Sequence, residues 1–328
     1  MRSLFIILFD YCLFYLLFTN SALGVWISSN LETLAKQTRS KLLGLTMLNK
    51  ILYADSGADN AQDMLKILLE LPATKNSQLS ILKVISPKTT QEESEVKEQA
   101  KTKIDDLVTK LGMDTSKVDM RVEEGEPKTT VLKVAQEIDA GLIIMGSRGL
   151  GKLQSILSNS VSQYVFQLTD RSMLLIKDDI YVKKLKRIMI AIDKSPAANY
   201  ALDVTLAMLQ GYTDAEILLT RVNPDLDPNL ALSKEDMENN PILAPAVAKV
   251  KRMGLDYQCL VTGGRPAQKI CNLAEARNID LLVLGSPERR PSIAKNLPDV
   301  ERLLGSSLSD YIRIKAPCPV LLARQEEA

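Results

Sequence analysis

GEPKTTVLKVAQEIDAGLIIMGSRG, residues 125–149, returns later in the same chain as GRPAQKICNLAEARNIDLLVLGSPE, residues 264–288, without a gap. Pro127, Ala135 and Gly146 fall on Pro266, Ala274 and Gly285. Both blocks read alike. A glycine turn leads to a proline at the first turn of a helix, where a missing N–H costs little. The helix runs to about residue 138, and the apolar run GLIIMG follows. Short apolar runs bounded by turn residues mark strands buried on both faces of a parallel sheet. A helix–strand unit used twice means that an internal duplication sets the architecture.

The duplication extends outward from this block. KILYADSGADNA (50–61) parallels RIMIAIDKSPAANYAL (187–202), and aligning the aspartates pairs Asp55 with Asp193. SNSVSQYV (158–165) parallels GSSLSDYI (305–312), and SMLLIK (172–177) parallels PVLLAR (319–324). Past Gly285 the second copy is eight residues longer, within its glycine loop. The expected domains are residues 47–180 and 185–325, joined by a short charged linker. In copy one the expected strands are 51–54, 79–85, 118–124, 141–146 and 173–177. Expected helices are 59–71, 92–111, 127–138 and one after Ser160. Strand alternating with helix implies an α/β fold, here two tandem doubly wound sheets of five parallel strands.

Length and composition agree with this reading. The chain has 328 residues, which suits two domains of ordinary size. Its net charge of +1 offers no global field for nucleic acid. It has no histidine, which excludes Ser-His-Asp and Cys-His catalysis and every imidazole-bound metal. Cys12, Cys259, Cys271 and Cys318 form no CxxC pair and read as buried thiols of a reducing compartment. Residues 1–46 have no counterpart in the second copy. Their run LFIILFDYCLFYLLF reads as a dispensable extension, with a signal peptide or membrane anchor as alternatives. Asp10 within it argues against a spanning helix. The cytoplasm is the expected location, with export or anchoring as the alternative if residues 1–24 act as a signal.

The stretch GSRGLGKLQSILSNSVS (146–162) follows a strand and precedes a helix. Gly146 and Gly149 let backbone N–H groups approach an anion. Ser160 stands at the expected helix start, and Arg148 adds a charge-assisted donor. Such a glycine turn also serves as a plain tight turn. The GxGxxG and GxxxxGK[ST] patterns are absent.

Gly146, Gly149, Asn159 and Ser160 resemble the nucleotide signature of the universal stress proteins, G-x-x-G, nine residues, then G-[ST]. With the Asp after the first strand, the GxP turn, LIIMGSRG and SVSQYV, the chain resembles a tandem universal stress protein of bacterial type over nearly all of residues 47–324. The resemblance implies an adenine nucleotide alpha hydrolase-like, flavodoxin/Rossmann-like fold. It implies that Asp55 lies beside the adenosine, with Ala54 and Val84 on the adenine side. Met145, Gly146, Gly149, Ser160 and Val161 would hold ribose and phosphates. Asn159 stands where the signature has glycine, and asparagine tolerates left-handed backbone. The ligand so implied is ATP or another adenine nucleotide, with Mg2+ arriving on its phosphates and no metal site in the protein itself. Asp55 has a local alternative, capping the helix that follows.

In copy two Gly285 stays, but Glu288 replaces the second glycine after Pro287, and Ser306 and Ser307 match Asn159 and Ser160. Asp193 and Val222 remain as adenine-side relics. Copy two is therefore expected not to bind ATP in the family manner. The expected function is a regulatory, non-enzymatic nucleotide-binding protein of the stress response. A dimerisation or adaptor module is the alternative, and a slow adenine-nucleotide enzyme a third. The related domains dimerise through the last strand, so MLLIK and PVLLAR are expected to pair within the chain as an internal pseudo-dimer, or to build a homo-oligomer.

Overall fold

The computed structural model describes residues 46–85, 90–147, 160–227, 230–286 and 307–325. The apolar amino-terminal stretch, Arg148, Gly149, Asn159, Ser306 and residues 288–299, the part of copy two's loop that holds its extra length, lie outside them. Copy one runs β1 (Lys50–Ala54), α1 (Asp59–Leu69), β2 (Gln78–Ile85), α2 (Thr90–Lys110), β3 (Val118–Glu124), α3 (Pro127–Glu137), β4 (Leu142–Ser147), α4 (Val161–Leu168) and β5 (Ser172–Lys177). Copy two runs β6 (Arg187–Ala191), α5 (Pro196–Met208), β7 (Glu216–Asn223), α6 (Lys234–Glu238), α7 (Ala244–Arg252), β8 (Asp256–Gly263), α8 (Pro266–Ala276), β9 (Leu281–Gly285), α9 (Leu308–Lys315) and β10 (Val320–Ala323).

The two copies share one ten-stranded sheet, ordered β3-β2-β1-β4-β5-β10-β9-β6-β7-β8. Strands are parallel within each copy. The last strands meet antiparallel, Leu174 opposite Leu321. Side chains alternate across a strand. Ile51 and Tyr53 therefore join one apolar layer, under α1, α2, α5 and α7. Leu52 and Ala54 join the other, under α3, α4, α8 and α9. In each copy the chain reverses direction between its first and fourth strands, the place where such sheets bind ligands.

The seam between the copies is held by a pair of exchanged cations. Lys177 ends β5, and its Nζ donates to the Ile314 and Ala316 carbonyls, at 2.7 and 2.5 Å, where α9 ends. Arg324 occupies the matching place in copy two. Its Nη1 donates to the Phe166 and Thr169 carbonyls, both at 2.6 Å, where α4 ends. Each copy thus caps the other's last helix with a buried positive charge, which also suits the negative end of the helix dipole. This pairing corrects one expectation. With β5 between β4 and β10, and β10 between β5 and β9, neither last strand has an edge left for a homo-oligomer. The sheet edges are β3 and β8, and β3 carries Asp119, Arg121, Glu123 and Glu124, charges that discourage edge pairing.

The register corrects a second expectation. Ile51 pairs with Leu142, and Ile188 pairs with Leu281. Leu142 and Leu281 are equivalent in the gapless block, so Ile51 matches Ile188. Asp55 then matches Ile192, and Ser56 matches Asp193. The two aspartates are one residue out of step.

α3 and α8 end alike. Asp139 and Asn278 take left-handed backbone, with φ of 54° and 47°. The next N–H groups, of Ala140 and Ile279, reach back to the Ala135 and Ala274 carbonyls, at 2.8 and 2.9 Å. This is the Schellman closure, whose preferred residue is glycine. Asn278→Gly is expected to raise stability by about 0.5 kcal/mol, read as a higher urea midpoint. Asp139→Gly should gain less, because Asp139 also pairs with Arg171 at 2.9 Å.

Candidate functional site

At the carboxyl end of copy one's sheet, Ala54 lies opposite Met145 on β4 and Leu82 on β2. Val84 is two residues beyond Leu82 and therefore on the same face. Ala54, Val84, Met145 and Val161 all pack in the α3–α4 layer. Ser160 precedes α4 with extended backbone, and its hydroxyl accepts from the Gln163 N–H at 3.2 Å. That is the N-cap role its position suggested. Other N–H groups of the first turn have no partner within the helix and suit an anion. The structure thus brings Ala54, Val84, Met145, Ser160 and Val161 to one side of one sheet end.

Asp55 is placed differently. It occupies the buried position that Ile192 fills in copy two, and its side chain is 6% exposed. Lys83 Nζ donates to its Oδ2 at 2.7 Å. The Gly57 N–H donates to Oδ1 at 2.9 Å, and the Tyr53 hydroxyl lies 3.4 Å from the same atom. Burial, then the Asp55 charge, push the Tyr53 phenol well above its ordinary range, so it stays protonated. Tyr53 and Lys83 point into the α1–α2 layer, away from Ala54 and Val84. Asp55 does not cap α1 either. The N-cap of α1 is Ala58, which has no side-chain bond.

Gly146 also has a packing role. A Cβ there would meet Ser56 Oγ at 2.6 Å, with the Ala58 and Ala61 Cβ atoms at 3.4 and 3.6 Å. At Gly285 a Cβ would come within 2.2 Å of the Ala197 carbonyl and 2.5 Å of the Ala198 nitrogen. In both copies the glycine lets the first helix approach the fourth strand.

Copy two repeats the frame with other chemistry. Ala191 and Val222 face the α8–α9 layer, as Ala54 and Val84 face theirs. Asp193 is exposed and accepts from the Ser195 N–H at 2.8 Å, a turn within its own loop. Ser307 caps α9, accepting from the Asp310 N–H at 3.2 Å and donating its hydroxyl to the Asp310 carboxylate at 2.9 Å. Asp310 is buried, at 2% exposure. Copy one has Gln163 there. Sequence reasoning missed this carboxylate, although S-x-x-D before an apolar turn is a variant of the capping-box signature. It also missed Lys83, which alternation from Val84 places on the opposite face. Cys259, Cys271 and Cys318 are buried, and burial pushes their thiols up to about 11, 11 and 12. Among the described residues no group of His, Cys, Asp or Glu is disposed to hold a metal ion. None of the described helices is long and apolar enough to cross a membrane.

Two nucleotide-fold half-sheets joined at their last strands, each with a serine-capped helix after its fourth strand, define a tandem α/β protein of the universal stress class. A sequence model of the universal stress protein family matches residues 47–177 and again residues 184–324, and the chain belongs to that family. A universal stress protein of Methanocaldococcus jannaschii is 27% identical over 155 residues, covering 40% of this chain and 96% of the relative. The universal stress protein YxiE of Bacillus subtilis is 26% identical over 148 residues, covering 40% of this chain and all of YxiE. Each relative therefore has the length of a single copy. The crystal structure of a universal stress protein from Archaeoglobus fulgidus covers 85% of this chain and 99% of its own, with TM-score 0.64 and 20% identity. That likeness shows the shared fold.

Proposed function

We propose that this chain is a regulatory adenine-nucleotide-binding protein of the stress response, working in the cytoplasm, with the nucleotide held by copy one. The observation that carries the asymmetry is the first turn of the helix after the fourth strand. In copy one Ser160 caps α4 and the neutral Gln163 follows. In copy two the Asp310 carboxylate stands at that place and takes the serine hydroxyl. A phosphate brought to about 4 Å from that carboxylate would meet repulsion of about 4 kcal/mol per unit charge, at an effective dielectric near 20. Ala54, Val84 and Met145 supply the apolar wall for a base. Ser160 and the free N–H groups of the first turn of α4, from Val161 on, supply donors for phosphate oxygens. ATP is the proposed nucleotide, and Mg2+ would enter with its phosphates.

One observation favours the adaptor reading. The Asp55 carboxylate is already taken by Lys83 and the Gly57 N–H, so it is not offered to a ribose. Extraction of the native protein separates the readings. Acid release followed by chromatography and mass spectrometry is expected to yield an adenine nucleotide. A chain that carries none, and whose melting temperature ATP, ADP and AMP leave unchanged, is an adaptor.

A further inference from the structure

We propose that copy two carries a second ligand site, on the sheet face opposite the nucleotide region, built for a phosphate monoester on a small, mostly apolar body. A cavity of about 240 Å³ opens at the carboxyl ends of β7 and β8, lined by Lys194, Arg221, Asn223 and Asn240 with Leu226, Pro241, Ile242 and Val261. Leu226, Ile242 and Val261 belong to the α5–α7 layer, which puts the cavity on the far side of the sheet from Val222 and Ser307.

The polar lining consists of donors. Among the described residues, the side chains of Arg221 and Lys194 have no hydrogen-bond or ion-pair partner. The side-chain oxygen of Asn223 accepts from the Asp225 N–H, and that of Asn240 from the Ile242 N–H. Their backbone carbonyls are engaged too, Asn223 by the Leu226 N–H and Asn240 by the Leu243 and Ala244 N–H groups. What the two asparagines still offer is their NH2 groups. The residues lining the cavity thus include two cations and two amides whose side-chain oxygens are already engaged.

Copy one differs at the matching place. Arg221 is the counterpart of Lys83, one residue before Val222 and Val84 respectively. Lys83 is neutralised by Asp55 at 2.7 Å. The matching residue in copy two is Ile192, buried at 5% exposure. With the one-residue difference in register, copy two has no carboxylate at that place, and the half-buried Arg221 lines the cavity. A guanidinium stays charged at any physiological pH and favours a planar, oxygen-rich partner.

The charge decides between anion classes. A carboxylate brings one charge and two oxygens. A phosphate monoester brings roughly −1.5 to −2 charges at neutral pH and three terminal oxygens, which match two cations and two amides. The apolar side chains then receive the ester's body. The volume lies below the usual range of roughly 300–1,000 Å³ for drug-sized ligands, so that body is small.

This inference does not rest on the nucleotide reading. Its test is calorimetric titration of the full chain with phenyl phosphate, benzoate and inorganic phosphate. Phenyl phosphate is expected to bind at least about tenfold tighter than either comparator. Arg221→Met and, separately, Lys194→Met should each weaken it by about tenfold or more, with circular dichroism unchanged. Lys194 is exposed, so its variant folds even if Arg221→Met does not. Absence of heat up to about 10 mM phenyl phosphate, equal affinity for benzoate, or binding that survives both substitutions would each overturn the proposal.

Discussion

Arg324→Leu is expected to destabilise the whole chain by about 3 kcal/mol, lowering its melting temperature by about 6 °C or more. The substitution keeps most of the apolar volume but removes two charge-assisted bonds. The Phe166 and Thr169 carbonyls would then end α4 in a buried place with no donor. An unsatisfied buried carbonyl costs about 1–3 kcal/mol. The guanidinium also lies over the Phe166 ring, at 4.7 Å from its centre, which adds a smaller cation–π loss. Lys177→Met is the mirror experiment, since Lys177 holds the Ile314 and Ala316 carbonyls. It should cost about 2 kcal/mol, because burial already disfavours the charged ammonium and lowers its pKa. Urea denaturation of both variants checks the values. Losses below about 0.5 kcal/mol in both would show that water satisfies those carbonyls and that the seam is held by the strands alone.

Gly285→Ala is expected to cost about 3 kcal/mol or more, and Gly146→Ala less than about 1.5 kcal/mol. The difference follows from what each new methyl meets. At Gly285 the obstacle is the Ala197–Ala198 backbone at the start of α5, which moves only with the helix. At Gly146 the nearest atom is the Ser56 hydroxyl, which can turn away. A ranking by nucleotide binding alone runs the other way, since the second copy's loop is the degenerate one. Equal urea midpoints for the two variants would contradict the packing account.

The fold was legible because the same helix–strand block occurs twice, and because buried parallel strands leave short apolar runs between glycine and proline turns. The pairing of MLLIK with PVLLAR within the chain was legible for the same reason. The register of β1 was not. Asp55 and Asp193 each follow an apolar run and each accept an N–H two residues on, so they look equivalent in sequence. A shift of one residue turns a side chain to the other face, and only the pairing with β4 reveals it. The Lys83–Asp55 bond and the open Arg221 both follow from that shift. The exchange of Lys177 and Arg324 between helix ends was hidden because its partners are backbone carbonyls in the other copy, which carry no sequence signal. Asp310 was readable as a cap from its place three residues after Ser307.

One sheet with two differently built ends is expected to bind one nucleotide. Isothermal titration of the full, nucleotide-stripped chain with ATP tests it most directly. One site per chain is expected. Two sites per chain, or none, would contradict it.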